Sequence, residues 1–228
     1  MKLLLATGAL VVAASSQALA RGDEGHRIVG AITYHEAAAA TRARIDGLLA
    51  AHGESGPFFE TCLFPDHPRT RDGEHYVNLP RDAAQLDTGP CPLANECVVS
   101  PIEADMAVLA DPGRSDADRF TALEYRGHWV GDVHQPLHVS FADDRGGNGV
   151  NVTGTCHGNL HGAWDSCLLE EAVGDDLATA VEDLTTEITM SEGCAWIASK
   201  PIDWANEAFA IATAAPTGYC IAAGGVCA

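Results

Sequence analysis

Two histidine–aspartate pairs with the same four-residue spacing constrain the fold more than any other feature of the sequence. One pair is His128 and Asp132, and the other is His161 and Asp165. Residues four apart lie on the same face of an α-helix, so each pair would present an imidazole and a carboxylate in one direction. The helices that carry these pairs must face one another if both pairs serve a single site.

His138 adds a side chain of the same chemistry. It follows Asp132 by six residues, beyond Pro136, and a helix kink at that proline would turn it to the same side. Imidazole nitrogens and carboxylate oxygens at one-turn spacing are ligands that zinc binds from rigid helices. A single His-x-x-x-Asp pair is more simply a surface ion pair, but two pairs together with His138 favour a metal site. We expect His134, in the same run, to orient a ligand.

The pattern of apolar residues predicts a mainly α fold in one domain. Helices are predicted over residues 25–51, 101–109, 116–139, 161–173, 177–190 and 195–212. The glycines of 146–149, beside Val-Asn-Val, predict a small hairpin within residues 145–157. Residues 53–97 are rich in Gly, Pro and Asp and predict a long loop, which in a compact domain usually has a function.

The first twenty residues have the form of a secretory signal peptide. A basic start is followed by an apolar run over residues 3–14 and by small residues at positions 18 and 20. The run is too short to span a bilayer and no later segment is long enough, so we expect no membrane anchor. We therefore expect a signal peptide over residues 1–20, a mature domain over residues 21–228, and a secreted or periplasmic protein.

All eight cysteines lie beyond the expected cleavage site. An even number behind an export signal favours disulfides, and metal ligation by cysteine is disfavoured because the sequence contains no Cys-x-x-Cys pair. The pairing does not follow from the sequence. Cys91 with Cys97, across a proline-containing loop, is the simplest local pair.

The formal net charge of −19 constrains how a polyanion could bind. Such a surface repels phosphate backbones, and the sequence has no basic stripe of the kind that usually binds nucleic acid. A polyanionic substrate would have to be attracted locally, by metal ions.

A further ligand group is possible at the new amino terminus. Cleavage after residue 20 would make Arg21 the first residue and His26 the sixth. A free α-amino group can then bind metal together with its own carbonyl oxygen, provided that the amine is deprotonated. The simpler interpretation is a helix start at which Asp23 and Glu24 complement the dipole, and both can hold together.

The chain resembles the S1/P1 nucleases, which are secreted trinuclear zinc enzymes that prefer single-stranded DNA and RNA. The resemblance runs from Arg21 to about Asp165 and rests on an ordered set of motifs: Gly-x-x-Gly-His26, Asp66, His75-Tyr-Val-Asn, His128-x3-Asp132-x5-His138 and Asn159-Leu-His161-x3-Asp165. It implies a single-domain helical bundle of the zinc phospholipase C/nuclease type, with a small β-hairpin and long loops.

The resemblance also implies three zinc ions per chain. The first would bind Asp66, His75, His128 and Asp132, the second His138, His161 and Asp165, and the third the amine and carbonyl of Arg21, His26 and a bridging Asp132. Three zinc ions bring six positive charges and three ligand aspartates return three, which leaves a local excess of about +3. An acidic protein would thereby present an electropositive cleft.

Substrate contacts are implied in the same way. Asp66 would orient or deprotonate the attacking water, and Arg69 would contact a phosphate. Tyr76 would stack on a base, which favours unpaired strands, and Asn78 would touch the base edge. Ordinary core packing stays open as an interpretation of Tyr76, and a surface charge as one of Arg69.

The implied function is an endonuclease that hydrolyses single-stranded DNA and RNA to 5′-phosphorylated products, with 3′-nucleotides as further substrates and a monomeric enzyme expected. Two alternatives stay open. A zinc-dependent phospholipase C shares the His-x3-Asp-x5-His arrangement, but it typically closes its site with His-x3-Glu, whereas this chain has Asp165. A non-enzymatic secreted metal-binding domain would need neither a free amino terminus nor an open metal position.

Overall fold

The computed structural model of the protein describes residues 22–87, 91, 97–214, 217 and 219. This part of the chain is mostly helical, which confirms the mainly α class. Its helices are α1 (Asp23–Glu36), α2 (Ala39–His52), α3 (Phe58–Thr61), α4 (Val99–Ala110), α5 (Asp116–His134), α6 (Leu160–Gly162), α7 (Leu168–Val173), α8 (Leu177–Thr186), α9 (Met190–Ala198) and α10 (Pro201–Ala212). Its strands are β1 (Val77–Leu79), β2 (Val139–Phe141), β3 (Asn151–Val152) and β4 (Gly158–Asn159). The predicted signal peptide, residues 1–20, lies outside the described residues.

Helix α5 is the centre of the fold, since α1, α2, α4 and α10 all pack against it. The Ser115 side chain begins the helix by accepting a hydrogen bond from the Asp118 backbone N–H. Asp116 and Asp118 in the first turn suit the helix dipole. The second half of α5 buries Trp129 and Val133 in the main hydrophobic core, and its first half packs in a smaller core with α2 and α3.

Helix α5 ends at His134 and does not continue through a kink at Pro136, so this detail of the prediction was wrong. Gln135 adopts an extended backbone, as residues before proline usually do, and the helix cannot continue. A 3-10 turn over Pro136–His138 follows, and the chain then enters β2, which pairs in parallel with β1. The turn places His138 beside the carboxyl end of α5.

Two predicted helices are each interrupted. The helix predicted over residues 25–51 is interrupted after α1, where the backbone of Ala37 is extended. The Arg42 guanidinium donates a hydrogen bond to the Ala37 carbonyl at this break. The helix predicted over residues 195–212 breaks because the residue before Pro201 is extended. The other predicted helices agree with the structure to within a few residues.

A small hairpin is present, but its second strand, β4, lies just beyond the predicted region of residues 145–157. Strands β3 and β4 are antiparallel, with Asn151 opposite Asn159 and Val152 opposite Gly158. The chain reverses over residues 153–157 and not at the glycines of 146–149, which form a separate turn before β3.

Two disulfides lie among the described residues. Cys91 is joined to Cys97, which confirms the predicted local pair, and Cys156 is joined to Cys167. Among the described residues, Cys62 and Cys194 are free, and the remaining two cysteines, Cys220 and Cys227, lie outside them. Across the described ranges, each helix is too short or too polar to cross a membrane.

Two glycines of α5 allow neighbouring segments to approach it closely. A Cβ atom at Gly127 would overlap the Cys62 Sγ atom, and one at Gly131 would overlap the His26 ring. The close approach lets His26 of α1 stack on His128 of α5, with the ring centroids 3.8 Å apart. The packing of α1 on α5 therefore brings the first of the distant candidate ligands to the His128–Asp132 pair.

Candidate metal centre

Asp132 lies at the centre of a group of imidazoles and is only 2% exposed. Its Oδ1 atom is 3.1 Å from Nδ1 of His138 and 3.6 Å from Nε2 of His26. Its Oδ2 atom is 3.1 Å from Nδ1 of His75 and 3.2 Å from Nε2 of His128. Burial acts to raise the pKa of Asp132, but His128 and His138 hold that pKa well below its ordinary value. The carboxylate is therefore ionised, and its two oxygens face different rings.

Backbone carbonyls orient four of the imidazoles. One ring N–H of each donates a hydrogen bond to a backbone carbonyl oxygen. The pairs are His75 Nε2 with Thr70 (2.9 Å), His128 Nδ1 with Cys62 (2.8 Å), His138 Nδ1 with His75 (2.7 Å) and His161 Nδ1 with Gly146 (2.8 Å). A neutral imidazole has one N–H, so the opposite nitrogen of each ring presents a lone pair. Metal-binding histidines are typically held in this way, with the second nitrogen bonded to a carbonyl or carboxylate.

Lone pairs converge in a small volume beside Asp132. Nδ1 of His75 and Nε2 of His128 are 3.1 Å apart, and both approach Asp132 Oδ2. Since none of these three atoms carries a hydrogen when the rings are neutral, their approach is repulsive unless a cation or a proton is shared between them. Within the described ranges, Asp132 Oδ2 is buried without a hydrogen bond. This donor set fits a divalent cation of the zinc type.

Protons on His128 and His138 can supply part of the positive charge that a bound cation would bring to this group. Burial acts to lower the pKa of His128, but Asp132 and Asp66 raise that pKa above its ordinary value. The neighbouring Asp132 likewise raises the pKa of His138 well above its usual range, against the effect of burial. A metal ion that binds here would displace these protons, because metal ligands must be deprotonated.

Asp66, which lies in the long loop, completes the group that contains His75 and His128. Its carboxylate lies 3.7 Å from His75 Nδ1 and 3.8 Å from His128 Nε2, and it is partly exposed. Arg69 donates to Asp66 at 3.0 Å and lies 3.4 Å from the exposed Asp72. The residue that the resemblance assigns to phosphate binding is thus an ion-paired residue at the edge of the same group.

A second group forms around Asp165. The residue lies one turn after His161, within a π-helical turn over Ala163–Cys167, and its Oδ2 atom is 3.6 Å from His161 Nε2. Its Oδ1 atom is 3.7 Å from His138 Nε2 and accepts a hydrogen bond from Gln135 Nε2 at 2.6 Å. Gln135 was not identified from the sequence, where its position between candidate ligands is the only signal.

His26 faces Asp132 from the side opposite His75. Burial and the neighbouring His128 lower the pKa of His26 to about 3, so the ring is neutral and can act as a ligand. Its Nδ1 atom is buried without a hydrogen bond to any described residue. Arg21, whose amine and carbonyl are predicted to complete this group, lies outside the described residues.

Three groups of candidate ligands result, in each of which one atom per residue lies within 4.8 Å of the others. They are His26, His128 and Asp132; Asp66, His75 and His128; and His138, His161 and Asp165. Together they contain every predicted ligand except Arg21. Cys156, Cys167 and Glu171 also lie close together, but the two cysteines are joined in a disulfide.

A cleft of about 860 Å³ opens beside these groups. Arg69, Tyr76 and Asn78 line it, so the predicted substrate contacts lie next to the predicted ligands. Arg145 lines it as well, although nothing in the sequence distinguished this arginine from the others.

His134 does not orient a ligand as expected. Its side chain is exposed, its Nδ1 atom bonds to the Val130 carbonyl, and its ring lies against Trp204. The residue belongs to the last turn of α5 and lines the same cleft as the candidate ligands.

Comparison with known proteins gives a consistent result. The S1/P1 Nuclease family model matches residues 21–222. The chain is 30% identical to Endonuclease 2 of Arabidopsis thaliana over 189 residues, which cover 77% of this chain and 65% of the relative. It is 29% identical to Nuclease S1 of Aspergillus oryzae over 197 residues, or 78% of this chain and 67% of the relative. Over 132 residues it is 30% identical to Nuclease P1 of Penicillium citrinum, which covers 50% of this chain and 48% of the relative.

The chain thus spans about two thirds of the length of Endonuclease 2 and of Nuclease S1. The family match, in contrast, extends over nearly all of the chain beyond residue 20 and includes all the candidate ligands. From this match we conclude that the chain belongs to the S1/P1 nuclease family.

Proposed function

We propose that the protein is a zinc-dependent endonuclease that hydrolyses phosphodiester bonds of single-stranded DNA and RNA to 5′-phosphorylated products, and that it also acts on 3′-nucleotides. The observation that carries this proposal is the convergence of three ligand groups around Asp132 in a cleft of an S1/P1-family chain. The names of its relatives, Endonuclease 2 and Nuclease S1, support the same class of reaction.

The three groups would hold three zinc ions. Asp66, His75, His128 and Asp132 would hold one, His138, His161 and Asp165 a second, and His26, Asp132 and the amine and carbonyl of Arg21 a third. Bound zinc supplies positive charge for the phosphate oxygens and lowers the pKa of a water molecule. Asp132 can serve two ions because its oxygens face different rings.

Asp66 is the carboxylate best placed to orient the attacking water and to accept its proton. Both oxygens of Asp132 face buried imidazoles, and Asp165 already accepts a hydrogen bond from Gln135. Asp66 lines the cleft and has a surface arginine, Arg69, as its hydrogen-bonding partner. A carboxylate in that position can act as a general base.

The cleft residues favour unpaired strands. Tyr76 would stack on a base and Asn78 would contact the base edge, an arrangement that requires the base to be free of its complement. Arg69 would bind a phosphate after exchanging its carboxylate partners. That exchange costs little, because ion pairs between exposed groups contribute only about 0–1 kcal/mol.

We also propose that the protein is exported, to the periplasm or the medium, and that it acts as a monomer. The two disulfides among the described residues suit an oxidising compartment. The acidic surface, with a formal net charge of −19, would leave the zinc-bearing cleft as the region that attracts polyanions.

Removal of metal should abolish activity. Dialysis of the mature protein against a chelator should stop cleavage of single-stranded DNA, and added Zn²⁺ should restore it, because zinc would both stabilise the charge on the reacting phosphate and lower the pKa of the attacking water. The same preparations should be assayed on RNA, 3′-nucleotides and phosphatidylcholine, with zinc counted per chain. Activity that survives metal removal would contradict the proposal, as would hydrolysis of phosphatidylcholine alone or zinc binding without any hydrolysis.

Extra residues before Arg21 should remove one zinc ion. A peptide bond at the Arg21 nitrogen eliminates the free amine, so the group that contains His26 loses a ligand. We expect a protein with two residues added there to bind about one zinc ion fewer per chain than the mature protein. Equal zinc content in the two proteins would show that the amine is not a ligand.

A further inference from the structure

Arg145 is an arginine of the cleft that has no carboxylate partner in the part of the chain that the structure describes. It lines the cleft and is exposed, and none of the described residues pairs with its guanidinium. Arg69, in the same cleft, is paired with Asp66 and lies close to Asp72. Within the described residues, Arg145 is thus the cleft guanidinium that can bind an anion without first releasing a carboxylate.

The backbone of Arg145 is held in an unfavourable conformation. Its φ angle is 56°, in the left-handed region that residues with a Cβ atom seldom adopt. Arg71 has the same φ, but its guanidinium is engaged with Glu74 and Asp105 and lies over the Tyr125 ring. None of the described residues holds the Arg145 side chain in a comparable way, so contacts among them do not explain an arginine at this position.

The loop around Arg145 is built rigidly. Arg81 forms ion pairs with Asp143 and Asp144. Asp144 in turn accepts hydrogen bonds from the backbone N–H of Gly147 and from the Tyr219 hydroxyl. The position of Arg145 is therefore determined by contacts on both sides of it.

The same loop is joined to the metal centre. The carbonyl of Gly146, the next residue, accepts the hydrogen bond from His161 Nδ1, the ring nitrogen that faces away from Asp165. Arg145 consequently lies behind His161, at the rim of the centre, and makes no ion pair with Asp165 or with the other candidate ligand carboxylates.

We propose that Arg145 binds a phosphate of the substrate other than the one being cleaved. This proposal rests on the proposed nuclease function. The cleaved phosphate must lie on the ligand groups, whereas a rim guanidinium reaches the neighbouring phosphate of a strand that continues past them. A guanidinium binds phosphate oxygens in a bidentate manner, and here it does so without losing an internal ion pair. The site is thereby adapted to oligonucleotides over mononucleotides.

The test compares Arg145→Gln with Arg44→Gln. Arg44 lies exposed on α2 and does not line the cleft, so the control makes the same change of residue and charge elsewhere. In the zinc-loaded enzyme, Arg145→Gln should raise KM for a single-stranded oligonucleotide by about tenfold, as expected for loss of a charged hydrogen bond. The rise should exceed any rise in KM for a 3′-nucleotide, which has no second phosphate. The slope of log KM against log salt concentration should fall by about 0.7.

Two further variants distinguish the effect of the guanidinium from the effect of the backbone conformation at residue 145. Glycine accommodates a φ of 56°, so Arg145→Gly should fold at least as stably as the parent and still show the higher KM. Arg145→Lys keeps a point charge and should retain the salt slope with a smaller rise in KM. The proposal is overturned if Arg145→Gln matches Arg44→Gln in KM and salt slope, or if KM for the oligonucleotide and the 3′-nucleotide rise equally. If the parent enzyme cleaves neither substrate, the proposed function itself has failed.

Discussion

Replacement of Asp132 by asparagine should lower cleavage of single-stranded DNA by at least about 100-fold and reduce the zinc bound per chain. Loss of even an outer partner of a metal ligand typically costs 10–100-fold in affinity or activity, and Asp132 is proposed as a direct ligand of two ions. Its two oxygens face His26 and His138 on one side and His75 and His128 on the other. An amide has only one oxygen, so one side would lose its ligand and would face an NH₂ group instead.

Asp105→Asn is a suitable control for this variant. Asp105 is also a buried carboxylate, but it accepts a hydrogen bond from Trp129 Nε1 and pairs with Arg71, and it belongs to none of the three ligand groups. We expect Asp105→Asn to change the melting temperature while the zinc content stays full. Elemental analysis and thermal unfolding by circular dichroism measure the two quantities. Full zinc content and a parental rate in Asp132→Asn would contradict the assignment of Asp132 as a shared ligand.

Replacement of Asp66 by asparagine should lower kcat by about 10²–10⁴-fold, the range expected for loss of a general base. Asparagine keeps an oxygen near His75 and His128, so zinc content should fall less than in Asp132→Asn. Steady-state kinetics on single-stranded DNA, with zinc measured in the same samples, would separate the two effects.

Asp72→Asn provides the matched control for Asp66. Both carboxylates lie beside Arg69, but Asp72 is exposed to solvent and stands outside the ligand groups. Its replacement removes the same charge next to the same arginine, and we expect kcat to stay within about twofold of the parent, as for most surface substitutions. If Asp66→Asn loses no more activity than Asp72→Asn, then Asp66 is not the base.

Much of the fold could be predicted from local patterns. Apolar periodicity identified the helices, since that pattern is a property of each segment alone. The errors occur where a helix ends or is interrupted. Pro136 stops α5 and does not kink it, because Gln135 becomes extended and the following turn continues into β2, which pairs with β1. Strand pairing with a distant segment leaves no local signal before the proline.

For the candidate site too, local sequence patterns predicted one part, and contacts between distant segments decided the other. His128 with Asp132 and His161 with Asp165 follow from four-residue spacing, because one turn of helix places both side chains on one face. The possible new amino terminus pointed to His26, and the family resemblance placed Asp66 and His75 among the ligands; all three lie far from the two helical pairs in the sequence. Only the packing, with Gly131 leaving room for the His26 ring, brings them to Asp132.

By itself, the sequence determined the kinds of candidate ligand, their helical pairing and the family to which the chain belongs. The tertiary structure decided which nitrogen of each ring is free, because the carbonyls that hold the other nitrogens belong to the backbone and every residue has one. It also decided that Arg69 is ion-paired whereas Arg145 has no carboxylate partner among the described residues. Both arginines have aspartates nearby in the sequence, but Asp66 and Asp72 pair with Arg69, whereas Asp143 and Asp144 pair with the distant Arg81 and not with Arg145.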